Sequence, residues 1–114
     1  MALEIVPMDA TTTRLVLHGR LDALGCERVG TAFTAAASRA AGDVLIDLTR
    51  LEYIGSLGIR LLISNARMLQ RHGRRMVIFG ARPQPRDVFE TVALGDLVPI
   101  AEDQTEAMGL LAEG

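Results

Sequence analysis

In the stretch Leu51-Glu52-Tyr53-Ile54-Gly55-Ser56-Leu57-Gly58-Ile59, an apolar strand pattern changes within a few residues to the pattern of a long helix. The change places the hydroxyl of Ser56 at a predicted helix start. Unpaired backbone N–H groups and the positive end of the helix dipole meet there, so the position can hold an anion, including a phosphate on the serine itself. Ser56 is therefore the first candidate for a functional residue.

The segments on either side of this stretch predict an α/β fold. Val44 to Leu48 is a nearly continuous apolar run, typical of a strand buried on both faces, and Met76 to Phe79 repeats it. Between them, helical spacing predicts a helix from Ser56 to Arg71, with Gly73 as a left-handed C-cap. Two such strands joined by a helix pair in parallel and form a βαβ unit. The predicted buried stripe of the helix is Ile59, Leu62, Ile63, Ala66 and Leu69.

The rest of the chain supplies further strands and helices. A hairpin is predicted from peripheral strands over residues 3–8 and 14–17, followed by a helix with Asp22 as its N-cap that ends by Gly42. After residue 79 we expect a loop over 80–85, a short helix closed by Gly95, a strand over 98–101 and a last helix capped by Asp103. The prediction is one α/β domain over residues 1–114, with a mixed central sheet.

Composition argues against several classes of function. The 114 residues are 49% hydrophobic and 23% charged, a normal globular balance. With 12 basic and 14 acidic residues the formal net charge is −2, which gives no basic footprint for nucleic acid. Cys26 is the single cysteine, so we expect neither a disulfide nor a thiolate metal site. The N-terminal residues do not resemble a signal peptide, and no apolar run is long enough for a membrane span, so we expect a cytoplasmic protein without membrane insertion.

Three roles can be considered for Ser56: a catalytic nucleophile, part of a phosphate-binding loop, or a helix cap without chemistry. A hydrolase elbow needs glycine two residues before the serine, where this chain has Ile54, and His72 lies about 24 Å away along the helix, too far to act as a base. Gly55 and Gly58 allow either a tight turn or a phosphate-cradling loop, but no nucleotide-binding glycine motif is present. The third reading is a simple N-cap serine. We expect no catalytic residue and no cofactor.

Two other groups of polar residues lie near Ser56. Asp47 and Glu52 are close enough in sequence to suggest a metal site, yet no cluster of further ligands supports it. We expect a strand-end hydrogen bond for Asp47 and a solvated side chain for Glu52. Four polar residues recur at helical spacing opposite the core stripe, and such a face is either merely solvated or part of a partner-docking surface. They are Arg60, Ser64, Arg67 and Arg71.

The ordered motifs resemble the STAS domain of bacterial anti-sigma factor antagonists. They are Val44-Leu45-Ile46-Asp47-Leu48, Tyr53-Ile54-Gly55-Ser56-Leu57-Gly58-Ile59 and Arg74-Arg75-Met76-Val77-Ile78-Phe79-Gly80. The likeness also covers His18-Gly19-Arg20-Leu21-Asp22 and the segment from Val88-Phe89 to Gly95-Asp96-Leu97, so it spans nearly the whole chain. The family usually has Asp-Ser-x-Gly around its serine. Ser56 and Gly58 match that form, whereas Gly55 stands where aspartate is commonest.

The resemblance implies a regulatory protein and not an enzyme. In that family the serine is phosphorylated by an anti-sigma factor that has a histidine-kinase-like ATPase fold, and a phosphatase is a further candidate partner. Ser56 would be the phosphorylation site, and the partner-binding residues would be Gly55, Ser56, Leu57, Gly58, Arg60, Ser64 and Arg67. The unmodified chain would bind the anti-sigma factor and free a sigma factor. The alternative is a constitutive STAS scaffold, or an accessory subunit of a signalling or membrane lipid-transport complex, in which Ser56 only caps the helix.

Overall fold

A computed structural model describes residues 1–113, which form six strands and four α-helices. In chain order the elements are β1 (Ala2–Asp9), β2 (Thr12–Leu21), α1 (Ala23–Arg39), β3 (Asp43–Asp47), β4 (Leu51–Ile54), α2 (Ser56–Arg71), β5 (Met76–Phe79), α3 (Pro83–Thr91), β6 (Ile100–Ala101) and α4 (Gln104–Ala112). A single 3₁₀ turn at Leu94–Asp96 separates α3 from β6. The predicted α/β fold and N-terminal hairpin are confirmed.

The ten-residue strand β2 organises the sheet. It pairs antiparallel with β1, and its first half pairs in parallel with β3. Its last residues, Gly19 to Leu21, pair in parallel with β4, while β3 continues the sheet to β5 and β6. The sheet is therefore mixed, and β3 and β5 are parallel as predicted. The expectation that both hairpin strands are peripheral is wrong for β2, because its central residues, Leu15 to Leu17, are buried.

Helices pack on both faces of the sheet. Along β3, Val44 and Ile46 belong to the larger hydrophobic cluster, which α1 and α2 complete with residues such as Phe33 and Leu62. Leu45 points to the other face, into a smaller cluster closed by α4. Alternation along a strand sends neighbouring side chains to opposite faces, so the continuous apolar run in β3 serves both layers.

Several predicted boundaries shift. The predicted loop over 80–85 contains the start of α3, because Pro83 stands in its first turn, where a missing N–H costs nothing. That helix ends at Thr91 and not at Gly95, which lies in the 3₁₀ turn. The predicted strand over 98–101 is reduced to Ile100 and Ala101. α1 ends at Arg39, three residues before Gly42, where the backbone N–H of Ala40 closes its last turn on Ala36.

The buried face of α2 follows the predicted stripe with two differences. Ile63 is half-buried, and Asn65, which the stripe leaves out, is 2% exposed. The amide of Asn65 donates to the hydroxyl of Thr34 on α1 at 3.1 Å and to the carbonyl of Leu61 at 2.9 Å. The Asn65–Thr34 hydrogen bond links α2 to α1. Among residues 1–113, no helix has both the length and the apolar character that a membrane crossing requires.

Asp22 has two separate effects at the start of α1. Its carboxylate accepts a hydrogen bond from the backbone N–H of Gly25 at 2.8 Å, as an N-cap does. Burial, and secondarily the charge of Asp22, raise the pKa of the Cys26 thiol.

We expect Asp22→Ala to lower the free energy of unfolding by about 1 kcal/mol, because the cap is lost. The same substitution should speed alkylation of Cys26 near neutral pH, since a lower thiol pKa gives more thiolate. Urea unfolding and iodoacetamide kinetics measure the two effects. Asp87→Ala, at an exposed aspartate of α3, is the control and should change stability by less than about 0.5 kcal/mol. Unchanged alkylation in Asp22→Ala would contradict the electrostatic effect.

Candidate functional site

Ser56 is the first residue of α2, and Gly55 is the N-cap. The predicted helix bounds, Ser56 to Arg71, are confirmed, whereas the alternative in which Ser56 is the N-cap is wrong by one position. Gly55 has extended backbone and offers no side chain for capping. Ser56 is exposed, and its hydroxyl makes no hydrogen bond to any of residues 1–113. The hydroxyl therefore faces solvent at the positive end of a 16-residue helix.

The backbone before Ser56 is fixed from two sides. On one side the N–H of Gly55 donates to the carbonyl of Leu21 at the end of β2, at 3.1 Å. On the other side the side-chain amide of Gln84 forms hydrogen bonds to the backbone of β4, as a neighbouring strand would. Its Oε1 accepts from the N–H of Ile54 at 2.9 Å, and its Nε2 donates to the carbonyl of Ile54 at 3.1 Å. α3 thus completes the free edge of β4 immediately before the turn that carries Ser56.

Gln84 is a site residue that sequence reasoning missed. The sequence places it between Pro83 and Pro85, where a loop is the natural interpretation. Its partner lies 30 residues away, and no local pattern indicates such a pair.

Gly58 has a packing role. A Cβ atom at this position would lie 2.6 Å from Cγ1 of Ile54 and 2.9 Å from the carbonyl oxygen of Leu21. The residue is buried, and its assignment as a partner-binding residue stays a prediction. The absence of a side chain lets the first turn of α2 pack directly against the ends of β2 and β4.

Gly55 is under no such steric constraint. A Cβ atom there would come no closer than 3.5 Å to another side chain, the ring of Tyr53, which is ordinary contact. The guanidinium of Arg20 lies over the same ring, 4.3 Å from its centroid. The backbone packing at this position therefore does not require glycine, and aspartate is the residue that the resemblance leads one to expect here.

The other predicted contact residues are exposed along α2. Leu57 is 44% exposed beside Ser56. Arg60, Ser64 and Arg67 are exposed and, together with Ser56, line a surface groove of about 530 Å³. The complete lining is Ser56, Ile59, Arg60, Ile63, Ser64, Arg67 and Arg71. The structure thus brings the predicted serine and the predicted arginine face into one surface, which we term the α2 groove.

The remaining candidates lie outside the α2 groove. The carboxylate of Asp47 accepts from the N–H and the hydroxyl of Thr49 at 2.9 and 2.7 Å, which confirms the predicted strand-end hydrogen bond. Glu52 is exposed, as expected. His72 follows the last residue of α2, at the opposite end of the helix from Ser56.

Comparison with known proteins places this chain in a family. The family described as "Mlab, STAS domain" matches residues 6–99, so the chain belongs to the STAS domain family. BtrV of Bordetella bronchiseptica is 28% identical over 91 residues, which are 80% of this chain and 78% of that protein. The anti-sigma-B factor antagonist of Listeria monocytogenes is 24% identical over 109 residues, 96% of each chain. The predicted resemblance to anti-sigma factor antagonists is confirmed.

Solved structures show the same fold. The anti-sigma factor antagonist SpoIIAA in its unphosphorylated form superposes with a TM-score of 0.79 at 22% identity, covering 99% of this chain and 98% of that one. The Bacillus cell fate determinant SpoIIAA in the phosphorylated form superposes with a TM-score of 0.72, also at 22% identity, covering 96% and 99%.

Substitution of Gly58 by alanine should destabilise the fold. We expect a loss of about 1–3 kcal/mol in the free energy of unfolding, because the added methyl group overlaps the Leu21 carbonyl and the Ile54 side chain. Gly30→Ala on α1 is the matched control, since its Cβ atom would meet nothing within 4 Å. Helix propensity should make that variant more stable by about 0.5–1 kcal/mol. Equal stability of the two variants in urea unfolding would refute the close approach.

Substitution of Gln84 by alanine should loosen the turn that carries Ser56. The buried N–H and carbonyl of Ile54 lose their partners, at a cost of about 1–3 kcal/mol. Hydrogen exchange should accelerate at the amide of Ile54. Gln70→Ala is the control, because Gln70 is exposed and makes one longer bond, 3.3 Å, to the carbonyl of Leu97. Undiminished protection of the Ile54 amide in Gln84→Ala would show that Gln84 does not hold the turn.

Proposed function

We propose that this chain is an anti-sigma factor antagonist whose binding is controlled at Ser56. The observation that carries the proposal is the exposed Ser56 hydroxyl, which has no hydrogen-bond partner in residues 1–113 and lies at the head of the α2 groove. Unmodified, the chain binds an anti-sigma factor with a histidine-kinase-like ATPase fold and frees a sigma factor. This regulation takes place in the bacterial cytoplasm, and a phosphatase restores the unmodified form.

The proposed contact surface lies at the start and along the outer face of α2. It consists of the half-buried Gly55 and of the exposed residues Ser56, Leu57, Arg60, Ser64 and Arg67. Leu57 offers apolar area next to the serine, and the two arginines offer charged donors that suit carboxylates. A surface of this kind, with an apolar centre and a polar margin, is typical of protein interfaces.

Phosphorylation of Ser56 acts on binding and not on folding. A phosphate adds roughly −1.5 to −2 charge at pH 7, and the N-terminus of α2 tolerates it. Within an interface the same charge would be buried without a partner, which costs several kcal/mol. Because each 1.4 kcal/mol weakens binding about tenfold, the expected loss of affinity is about a hundredfold or more.

A second candidate function is that of a constitutive scaffold or accessory subunit, for example in a membrane lipid-transport complex. One observation favours it. Gly55 replaces the aspartate that members of the family usually have, although a Cβ atom at this position meets only ordinary contacts. In this role Ser56 carries no switch.

We expect the cognate anti-sigma factor and ATP to phosphorylate Ser56, because its hydroxyl is exposed at the N-terminus of α2 and borders the α2 groove. Mass spectrometry maps the site, and Ser56→Ala should abolish the modification while Ser64→Ala, at another exposed serine of α2, should not. Phosphate on Ser64 or on neither serine would remove the proposed switch.

The binding consequence separates the two candidate functions. Ser56→Asp should weaken binding to the unmodified partner about a hundredfold, whereas Ser38→Asp, at an exposed serine of α1, should leave it within twofold. Isothermal titration calorimetry measures both. Full affinity of Ser56→Asp would favour the constitutive scaffold.

A further inference from the structure

The charges of this chain are segregated along its sequence. Residues 53–86 contain seven arginines and no acidic residue, while the other five arginines and all fourteen acidic residues lie outside that segment. The segment comprises the end of β4, α2, β5 and the start of α3. The net charge of −2 is therefore the sum of a strongly basic segment, residues 53–86, and an acidic rest of the chain.

The three arginines of α2 are available to a partner. Arg60, Arg67 and Arg71 are exposed and form neither an ion pair nor a hydrogen bond within residues 1–113. Other arginines of the segment have structural partners, for example Arg75, which pairs with Asp43 at 3.5 Å and donates to the carbonyl of Leu111. Arg86 pairs with Glu102 at 3.9 Å. The arginines on α2 are thus not used by the fold.

These three arginines border a groove that has two aliphatic residues in its lining. Ile59 and Ile63 lie one helical turn apart there. Ile63 is half-buried, whereas Ile59 is 7% exposed and packs mainly into the core. Arg60 and Arg71 are eleven residues apart, which is about 16 Å along the helix. The groove is therefore elongated, follows the axis of α2 for about three turns, and combines an apolar floor with positive charge along its length.

We infer that the α2 groove receives an acidic amphipathic helix of the anti-sigma factor, an inference that rests on the proposed function. Apolar residues of such a helix, three or four positions apart, would pack on Ile59 and Ile63. Carboxylates flanking that stripe would pair with Arg60, Arg67 and Arg71, whose planar guanidinium groups bind carboxylates in a bidentate geometry. A long groove over three turns fits an element of matching length better than a small molecule.

Charge and shape favour a protein segment over other polyanions. The acidic remainder of the chain repels an extended nucleic acid, which needs a broad basic surface. The apolar floor formed by Ile59 and Ile63 gives a nucleic acid backbone nothing to bind, whereas it matches the apolar stripe of a helix. The inference also links recognition to Ser56: a phosphate there would lie one helical turn from Arg60 and compete with the partner's carboxylate for it.

Charge reversal on α2 tests the inference. We expect Arg67→Glu to weaken binding to the anti-sigma factor at least tenfold in calorimetry at about 0.1 M salt, because like charges would then oppose each other across the interface. Arg39→Glu is the matched control: it makes the same charge change at an exposed arginine of the other long helix, and it should change the affinity less than twofold. Hydrogen exchange of the partner in the complex should show new protection in one helix bearing acidic residues. Replacing those acids by arginine should restore the affinity for Arg67→Glu.

The other possible results distinguish failure of the acidic-helix inference from failure of the proposed function. If Ser56→Asp abolishes binding while Arg67→Glu binds as the native chain does, the function stands and the acidic helix is refuted. If the native chain does not bind the anti-sigma factor, the proposed function fails. Two other ligands are then tested separately: vesicles that contain anionic lipid, and duplex DNA. If the native chain binds either of them and Arg67→Glu does not, the inference that the α2 groove binds a protein helix is refuted. Protection of a partner segment without acidic residues would also overturn it.

Discussion

The close approach of the first turn of α2 to the ends of β2 and β4 is the constraint on which the site depends. Gly58 permits it, because any side chain there would overlap the Leu21 carbonyl. The same carbonyl accepts a hydrogen bond from the N–H of Gly55. One backbone group of β2 therefore both fixes the turn before Ser56 and limits the space available at Gly58. Gln84 closes the opposite side through Ile54. With its backbone held on both sides, Ser56 projects outward at a fixed place.

Much of the fold could be predicted from local sequence patterns. The errors concern properties that such patterns do not record. Buried parallel strands and amphipathic helices carry strong periodic signals, so β3, α2 and β5 were located to within a residue or two. The central role of β2 was missed because pairing with three different strands leaves no mark on its own sequence. The start of α3 was missed because proline is a breaker inside a helix and yet favourable in its first turn. Both errors concern tertiary partners or position within an element.

The candidate site shows the same division. Ser56 and the arginine face follow from helical spacing alone and lie together as predicted. A tight turn is one of the two alternatives that the sequence offers for Gly58, but a glycine beside a serine gives no indication of which neighbours it packs against. Gln84 could not be found at all, since its bonds to Ile54 span 30 residues. Residues that present chemistry are thus visible in the sequence, whereas residues that position it depend on the folded arrangement.

The balance of energies at Ser56 explains how one modification could act on binding while leaving the fold intact. At an exposed helix N-terminus an anion is favoured by about 0.3–1 kcal/mol, so a phosphate there does not destabilise the domain. Burial of the same unpaired charge in an interface costs several kcal/mol, and the binding effect is therefore the larger one. Arg60 adds to this asymmetry, because in the free chain it is available to the phosphate and in the complex it would be engaged by the partner. Under the proposed switch, the same arginine would favour the modified chain when free and the unmodified chain when bound.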